Sequence, residues 1–339
     1  MKSDSYSLAA VLRNFNMPLE VLEVKLPSLE PKQVMIRVIS ASICGSQVSE
    51  WLGQRDNSKW LPHLLGHEGF GEIVGIGSGV EHFEIGELVV ISWISNGLSA
   101  SPPAMYTTRH GEKINAGRSA VFAQKVIVSQ DKLFKIPKSD FGFSPNIASL
   151  FGCALPTGAG MVSQLLDVHP DAKILLRGLG GVGMSAAIAL SQISPGHKYA
   201  NDLSEIKLEI AQRLGFTSIA SGKLEKDSFD AVLDCTGSLK SLQESFSLLN
   251  NRGKLVFATH PPLGSVLEVD PYRLIEGRQI IGTWGGGIKS QADFEKVTGR
   301  LWQIDGIRYL VGPSFELEDI NSAMEYSLKP DLGRATITM

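Results

Sequence analysis

Cysteine is scarce in this sequence, with only 3 cysteines in 339 residues. An odd and sparse set does not form a disulfide framework, so we expect thiols or metal ligands in a reducing compartment. Long apolar runs are also lacking, because the most apolar late stretch, residues 172–193, holds an arginine and a glycine cluster. The first ten residues lack the apolar core of a signal peptide. We therefore expect a soluble, cytoplasmic protein.

Neither sign of charge is in excess. The formal net charge is -3 and the isoelectric point is about 6.2. This balance gives no electrostatic reason to expect nucleic acid or an anionic membrane as a partner, so a small molecule is the expected ligand. A hydrophobic fraction of 43% and this length allow about two domains with buried cores.

The first half of the chain has the pattern of β structure. Val34, Ile36 and Val38 alternate with other residues, as a half-buried strand requires. Leu88–Ile91 and Val126–Val128 are short apolar runs of the kind that form strands in a folded-over sheet or barrel. The pattern predicts a β-rich domain with many tight turns.

After residue 155 strands and helices alternate. The predicted strands are Lys173–Leu176, Lys198–Asn201, Asp230–Cys235 and Leu255–Ala258. Between them we predict a helix over Met184–Ile193, one with an apolar face of Leu203, Ile206, Ile210 and Leu214, and one with a face of Leu239, Leu242, Phe246 and Leu249. This alternation predicts βαβ units and a doubly wound parallel sheet.

A glycine-rich motif follows the first of these strands. Residues 178–183 read Gly-Leu-Gly-Gly-Val-Gly and match G-x-G-x-x-G, in which glycines allow a tight turn and close approach of a pyrophosphate. The helix that follows offers unpaired N–H groups to phosphates. The motif predicts a dinucleotide site at Gly178, Gly180, Gly181, Val182 and Gly183.

Asp202 follows the second strand, where an acidic residue binds the ribose of the dinucleotide. A carboxylate there accepts both ribose hydroxyls and repels the extra phosphate of NADP, so we expect NAD as cofactor. The alternative is that Asp202 only caps the next helix.

Three separate motifs carry good zinc ligands. Cys44 lies in Ile-Cys-Gly-Ser-Gln, His67 in Gly-His-Glu-Gly-Phe-Gly and Cys153 in Phe-Gly-Cys-Ala-Leu-Pro. Two thiolates and one imidazole leave a fourth zinc position open for water or substrate, which is typical of catalytic sites. A lone cysteine is more often a small buried apolar side chain, so the local motifs carry this prediction.

The run from Gly66 to Val80 resembles the zinc signature of the medium-chain dehydrogenase/reductase superfamily, and Gly333–Ile337 resembles its closing segment. The resemblance covers nearly the whole chain and implies a zinc-dependent alcohol dehydrogenase. It implies a GroES-like catalytic domain over residues 1–154 and 286–339, and a Rossmann NAD-binding domain over residues 155–285. It also implies a homo-oligomer, either a dimer or a tetramer.

The resemblance assigns roles on the metal side. Cys44, His67 and Cys153 are implied as zinc ligands, and Glu68 as a carboxylate close to the metal, with a purely structural role as its alternative. Ser46 matches the hydroxyl that receives the alcohol proton, although a plain turn serine is the alternative. Many relatives have a proton-relay histidine where this chain has Ser49.

Further roles are implied on the cofactor side. Arg334 matches an arginine that meets the cofactor pyrophosphate. Lys207 matches a lysine near the adenosine ribose, or else it is a solvated helix charge. Cys235 is interpreted as a packing residue rather than a ligand.

Two departures from the family pattern stand out. Relatives often hold a second, structural zinc with four cysteines, but the corresponding segment Trp93–Arg109 contains none, so we predict one zinc per chain. Position 47 is usually an aspartate that supports the ligand histidine, and here it is Gln47. Mutation of a residue that supports a metal ligand commonly changes metal affinity or activity 10–100-fold.

The substrate pocket is least defined by sequence. Trp93 and Trp51 are candidate pocket residues, with core packing as the alternative for both. The glycine-rich stretch Thr283–Gly287 is expected to form a loop near the cofactor or a hinge. A polyol or sugar-alcohol dehydrogenase remains open as an alternative, as does a non-catalytic NAD-binding protein on the same fold.

Overall fold

The computed structural model describes residues 5–55, 58–136, 144–193, 196–261, 264–299, 301, 304–328 and 333–339. The chain forms two compact units. Unit 1 comprises Met1–Cys153, Lys289–Glu295 and Val311–Met339, and unit 2 comprises Ala154–Ile288 and Lys296–Leu310. The resemblance implies a first domain of residues 1–154 and 286–339, whereas unit 2 extends to Ile288 and also includes the range Lys296–Leu310, in which Ile307 and Leu310 are buried.

The strands are β1 (Tyr6–Leu12), β2 (Glu20–Lys25), β3 (Gln33–Ser42), β4 (His63–Leu64), β5 (Glu68–Ile76), β6 (Leu88–Ser92), β7 (Tyr106–Thr108), β8 (Lys113–Ala116), β9 (Lys125–Ser129), β10 (Leu133–Lys135), β11 (Lys173–Arg177), β12 (His197–Asn201), β13 (Thr217–Ser218), β14 (Phe229–Asp234), β15 (Leu249–Phe257), β16 (Gln279–Gly282), β17 (Val311–Glu316) and β18 (Arg334–Thr338). The α-helices are α1 (Gly45–Trp51), α2 (Pro145–Leu150), α3 (Ala154–Gly160), α4 (Gly181–Ser191), α5 (Glu205–Arg213), α6 (Leu239–Ser247), α7 (Pro271–Ile275), α8 (Gln291–Thr298) and α9 (Ile320–Tyr326).

Unit 1 is built from β structure. A closed barrel has the strand order β1-β2-β7-β8-β4, and a seven-stranded sheet has the order β10-β6-β5-β3-β18-β17 with β9 also paired to β3. The three strands expected from the sequence are β3, β6 and β9. Their inward side chains, such as Ile36, Val90 and Val126, are fully buried because successive residues of a strand point to opposite faces.

Unit 2 contains a six-stranded parallel sheet in the order β13-β12-β11-β14-β15-β16. The βαβ pattern predicted this sheet, and the α/β fold class is confirmed. β11 has the buried core Ile174–Leu176 because a central parallel strand is covered on both faces. This sheet brings the ends of β11 and β12, and the loops that follow them, to one edge.

The predicted apolar face of the helix after β12 is wrong in part. Leu203 is 98% exposed and lies before α5, and Ile206 is 50% exposed, whereas Ile210 is buried. The turn that follows Asp202 is the physical reason, since the helix begins only at Glu205. Within the described residues, no helix combines the length and the apolar character that a membrane crossing requires.

Candidate metal and cofactor site

Unit 1 brings together side chains from three distant places in the sequence. Four potential ligand atoms all lie within 4.8 Å of one another, and they come from Cys44, His67, Glu68 and Cys153. The three residues that the sequence singled out as zinc ligands are therefore neighbours, together with the carboxylate that follows the histidine. Such a set of sulfur, nitrogen and oxygen donors has the chemistry of a zinc site.

Two glycines in crowded surroundings position two of these ligands. Gly66 has φ +90° and leads into His67 directly before β5, and a Cβ at Gly66 would lie 2.6 Å from Val121. Gly152 lies so close to Glu68 that a Cβ at Gly152 would be 2.7 Å from the Glu68 Cα. The Gly152 carbonyl also accepts a hydrogen bond from Ser92 at 2.6 Å. These contacts fix Cys153 beside Glu68 and explain the Phe-Gly-Cys motif.

His67 presents a ring nitrogen to the cluster. Its Nε2 is buried and has no hydrogen-bond partner among the described residues, while its Nδ1 contacts the side-chain amide of Gln47. A buried polar atom without a partner is rare and calls for an explanation. A metal ion at the cluster supplies one, since a neutral imidazole nitrogen is a common metal ligand.

The thiols of Cys44 and Cys153 are hydrogen-bonded to each other. A hydrogen bond from Cys153 holds the pKa of Cys44 well below its ordinary value, and the positive charge of Arg334 acts in the same direction. The same hydrogen bond and burial raise the pKa of Cys153. A metal ion binds cysteine as the thiolate, so its binding to both residues requires that both sulfurs lose their protons.

Arg334 lies at the cluster, from the first position of β18. Its guanidinium pairs with the fully buried carboxylate of Glu68 and donates to the Cys44 sulfur at 3.5 Å. Burial opposes the charge on Arg334, but Cys44 and Glu68 outweigh it and hold its pKa above the ordinary value. Burial raises the pKa of Glu68, and Arg334 works against that rise. The resemblance implies that Arg334 meets the cofactor pyrophosphate. Nothing in the sequence indicates its contact with Glu68.

Of the two candidate proton-relay serines, Ser46 is the better connected. It lies in the first turn of α1, is half-buried, and its hydroxyl accepts a hydrogen bond from the Gln47 amide at 3.3 Å. The same amide contacts His67, so Ser46 is linked to the cluster. For Ser49 the described contacts include only its carbonyl, which accepts from the Gln54 N–H.

The two candidate pocket tryptophans lie in different surroundings. The ring of Trp93 is edge-on to His67, with centroids 6.3 Å apart and an interplanar angle of 68°. Trp51 instead donates its indole N–H to the Met17 carbonyl at 2.7 Å and packs against the barrel core. Trp93 thus lies beside His67 of the candidate ligand cluster, whereas Trp51 packs against the core of unit 1, and the pocket role of both residues stays a prediction.

Amide side chains hold the segment Trp93–Arg109. Asn96 donates to the backbone carbonyls of Gln130 and Leu133 at 2.9 and 2.7 Å, and its own N–H donates to Asp131. Gln130 in turn donates to the Ser99 carbonyl at 3.0 Å. These hydrogen bonds tie the segment to the residues directly before β10.

In unit 2 the glycine motif forms the predicted turn between β11 and α4. Gly178 has φ +80°, and a Cβ there would lie 2.9 Å from the backbone of Cys235. A Cβ at Gly183 would lie 1.8 Å from the Gly178 carbonyl oxygen, so only glycine fits. A Cβ at Gly180, by contrast, would meet nothing within 4 Å. This open face at the start of α4 leaves room for a pyrophosphate beside Gly181 and Val182.

Asp202 lies against this turn. Its carboxylate accepts hydrogen bonds from the Leu179 N–H of the glycine motif and from the Ser204 N–H at 2.8 Å. The second bond belongs to the capping alternative, and the first places the carboxylate beside the phosphate turn, where a ribose ligand is needed. Lys207 is half-buried on α5. Cys235 is buried in unit 2, where burial raises the pKa of its thiol.

Arg177 is a buried residue at the carboxyl end of β11, and the sequence did not predict a role for it. Arg177, 4% exposed, ends β11 and donates to the Ser241 carbonyl at 2.9 Å and to the Ser245 hydroxyl at 3.0 Å. It also pairs with Glu244 at 3.1 Å. The one available signal was a charged residue at the end of the apolar strand Lys173–Arg177.

Comparison with known proteins agrees with this geometry. The sequence model of the alcohol dehydrogenase GroES-like domain matches residues 30–138. The chain is 24% identical to alcohol dehydrogenase-like 2 of Arabidopsis thaliana over 98% of this chain and 96% of that protein. It is 25% identical to an S-(hydroxymethyl)glutathione dehydrogenase of Paracoccus denitrificans over 94% of this chain and 95% of that protein.

The chain is therefore similar to alcohol dehydrogenases over nearly its whole length. Among solved structures, an alcohol dehydrogenase zinc-binding domain protein of Burkholderia ambifaria superposes with a TM-score of 0.87 at 23% identity. That superposition covers 98% of this chain and 99% of the other, and it supports the fold. The fold class predicted from the sequence is confirmed, and the similarity to alcohol dehydrogenases agrees with the predicted family.

Proposed function

We propose that this protein is an oxidoreductase that uses zinc to transfer a hydride between an alcohol, or the matching aldehyde or ketone, and NAD(H). The observation that carries the proposal is the cluster of Cys44, His67 and Cys153, with a buried His67 Nε2 left for a metal. The glycine turn and Asp202 of unit 2 supply the cofactor site that the reaction needs.

The charges of the cluster fit a divalent cation. Two thiolates and the carboxylate of Glu68 carry three negative charges, and Arg334 carries one positive charge. A doubly charged ion makes the buried group neutral, which removes most of the cost of burying its charges. Thiolate and imidazole ligands favour zinc over magnesium or calcium, which prefer oxygen. We propose one zinc per chain, since the Trp93–Arg109 segment is held by amide hydrogen bonds.

The protein residues divide the remaining work. Zinc bound here supplies a Lewis acid that lowers the pKa of an alcohol. The pairing with Arg334 keeps the Glu68 carboxylate occupied, so that a fourth ligand position is left for the substrate oxygen. Ser46 Oγ is the group proposed to take the alcohol proton, and its link to Gln47 holds it beside the ligand histidine. Ser49 is proposed as a weaker, water-linked continuation of that path.

NAD rather than NADP is the proposed cofactor. The Asp202 carboxylate lies against the phosphate turn through Leu179, where it can accept ribose hydroxyls and where it would repel a 2′-phosphate. The roles of Gly178, Gly180, Gly181, Val182 and Gly183 follow from the turn that they form. Lys207 and Arg334 stay candidate cofactor contacts.

The surroundings of the cluster favour a substrate with an apolar side chain. Trp93 borders His67, and Ser46 supplies one hydroxyl nearby. A polyol needs several polar partners, so we place it second. The intact ligand cluster disfavours a non-catalytic NAD-binding protein.

Location and assembly are further parts of the proposal. The free cysteines favour a reducing compartment, and we propose the cytoplasm. The exposed apolar side chains of Tyr272 and Ile275 on α7 favour contact between copies of the chain, and we propose a homo-oligomer.

The test is NADH formation by the purified protein with a panel of primary alcohols, secondary alcohols and polyols. We expect turnover with alcohols that stops when a chelator removes zinc and returns when zinc is restored. Turnover that survives complete zinc removal would refute the zinc mechanism. Zinc and NADH binding without turnover of any alcohol or carbonyl would instead support a non-catalytic binder.

A further inference from the structure

A largely buried lysine of unit 1 has no part in the chemistry proposed above. Lys132 ends the short 3₁₀ helix Gln130–Lys132, directly before β10, and its side chain is only 14% exposed. Its Nζ lies 3.1 Å from Oδ2 of Asp131, whose side chain is 4% exposed. Burial of two charges is costly, and apolar residues of similar volume often stabilise a protein as well or better. Stability alone is therefore a poor explanation for this pair.

The same ammonium group also binds the backbone of Trp93. Lys132 Nζ donates a hydrogen bond to the Trp93 carbonyl at 2.9 Å. Trp93 directly follows β6, so this bond fixes the chain where it leaves the sheet. Asn96 joins the same two segments, because its N–H donates to the Asp131 carbonyl at 2.8 Å.

Ser92 connects the residues around Trp93 to a metal ligand. Its hydroxyl is fully buried, donates to the Gly152 carbonyl at 2.6 Å and accepts from the Ile94 N–H at 3.0 Å. Gly152 directly precedes Cys153 in the sequence. The segment that carries Trp93 is therefore hydrogen-bonded to the neighbour of one candidate ligand.

The ring of Trp93 lies against a second ligand. It is edge-on to the His67 imidazole, with centroids 6.3 Å apart. That imidazole has to direct Nε2 at the metal to within about 10–20° for tight binding. Its Nδ1 contacts the amide nitrogen of Gln47, which only donates and so does not support the tautomer that a metal needs. The orientation of the imidazole then depends all the more on packing against Trp93.

We propose that Lys132 is a positioning residue of the metal site, which keeps the Trp93 ring against His67 and so raises the affinity of the site for zinc. Asp131 holds the ammonium group in place. This inference rests on the proposed zinc site and adds a support that lies outside the ligand set. Replacement of a residue that orients a ligand histidine commonly costs 10–100-fold in metal affinity. Lys132 acts indirectly, through Trp93, so we expect an effect of about 10-fold, at the lower end of that range.

The experiment measures the zinc dissociation constant of the full chain by competition with a chromophoric chelator. The test variant combines Asp131→Asn with Lys132→Met, because removing both charges leaves neither one buried without its partner. We expect its zinc dissociation constant to rise about 10-fold. The matched variant Asp131→Asn alone keeps the Lys132 bond to the Trp93 carbonyl and should bind zinc like the wild type.

A second background tests whether Lys132 acts through Trp93. Trp93→Leu removes the ring and should itself weaken zinc binding. Adding Asp131→Asn and Lys132→Met to Trp93→Leu should then cause no further loss, since residues that act through one contact have non-additive effects. Lys113→Met removes an exposed lysine on β8 and is the control variant that should change nothing.

The absorption spectrum of the cobalt(II)-loaded protein is a readout that a purely structural role would not move. Its d–d bands report the arrangement of ligands around the metal. We expect these bands to shift in the Asp131→Asn, Lys132→Met protein and to keep their positions in Asp131→Asn and Lys113→Met.

Several outcomes would overturn the inference and leave the proposed function intact. One is equal zinc affinity and an equal cobalt spectrum in wild type and the Asp131→Asn, Lys132→Met protein, and a loss of stability to urea alone would then make the ion pair purely structural. Another is full additivity with Trp93→Leu. If the Asp131→Asn, Lys132→Met protein does not fold, unchanged zinc affinity in Trp93→Leu overturns the inference by itself. A wild-type protein that binds neither zinc nor cobalt would refute the proposed function, and this inference with it.

Discussion

The side-chain amide of Gln47 connects His67 to the backbone of another residue in the metal cluster. Its Oε1 accepts a hydrogen bond from the Cys44 N–H at 3.0 Å, and its Nε2 contacts Nδ1 of His67. Because an amide nitrogen only donates, Nδ1 can accept from it only in the tautomer that carries the ring proton on Nε2, the atom expected to bind zinc. Metal binding then requires the other tautomer, in which Nδ1–H needs an acceptor that the amide nitrogen cannot be.

Replacement of Gln47 therefore tests how the amide limits zinc affinity. A carboxylate in Gln47→Asp can accept from the Cys44 N–H and from Nδ1–H, so we expect zinc to bind about 10-fold more tightly or better. Gln47→Leu has no acceptor and should bind zinc about 10–100-fold more weakly. Competition with a chromophoric chelator measures both constants. Equal affinity in wild type, Gln47→Asp and Gln47→Leu would show that the amide has no such influence.

Removal of Arg334 tests the buried ion pair with Glu68. Arg334→Met leaves the fully buried carboxylate without its cation, and a broken buried pair commonly costs about 3–5 kcal/mol in the free energy of unfolding. Urea denaturation should show that loss, and adding Glu68→Gln should recover part of it. Additive losses in the double variant would contradict the coupling. The NADH dissociation constants of the same proteins test the contact with pyrophosphate that the resemblance implies.

Asp202 tests the choice of cofactor. Asp202→Asn keeps the size and one acceptor oxygen for the Leu179 N–H but removes the negative charge. We expect the wild-type protein to bind NADH in preference to NADPH, and the ratio of the two dissociation constants to fall about tenfold or more in the variant. Glu209→Gln removes an exposed negative charge on α5 and serves as the matched control, with no expected change in the ratio. An unchanged ratio in Asp202→Asn would refute the ribose role.

His63 predicts a pH dependence of stability. Burial lowers the pKa of His63, and Glu50, whose Oε1 lies 3.3 Å from Nε2, opposes this only in part. In the unfolded chain the pKa is about 6.5, so below that pH the unfolded state binds more protons than the folded state. Stability is then full above about pH 6.5 and falls as the pH drops towards the folded pKa. Thermal unfolding of His63→Gln should show a flatter profile between about pH 5 and 7. A profile as steep as that of the wild type would show that His63 does not cause the pH dependence of stability.

Local sequence patterns were sufficient for much of unit 2. The apolar strand Lys173–Arg177, the glycine turn and the start of α4 are neighbours in sequence, so their periodicity and turn chemistry determine the local structure. Leu203 shows the limit of that approach. It has the spacing of a helix face, yet the turn after Asp202 leaves it outside α5 and exposed.

Contacts between distant residues could not be read from such patterns. Glu68 and Arg334 are 266 positions apart, and they meet only because β18 pairs with β3, which also pairs with β5. Strand pairing of this kind depends on the tertiary fold and not on local periodicity. For the same reason the sequence did not predict the close backbone contact between Gly286 and α3, where a Cβ at Gly286 would lie 2.6 Å from the Thr157 carbonyl oxygen. The glycine-rich stretch itself was visible in the sequence.

The zinc content of the purified protein tests the central claim most directly. Elemental analysis after dialysis against metal-free buffer should find about one zinc per chain in the wild-type protein and in Cys235→Ser, whose thiol lies in unit 2. Cys44→Ser, His67→Ala and Cys153→Ser should each lose most of it while keeping the circular dichroism of a folded protein. A zinc-free wild-type protein that cannot be loaded with zinc, or full zinc retention in these three folded variants, would contradict the account.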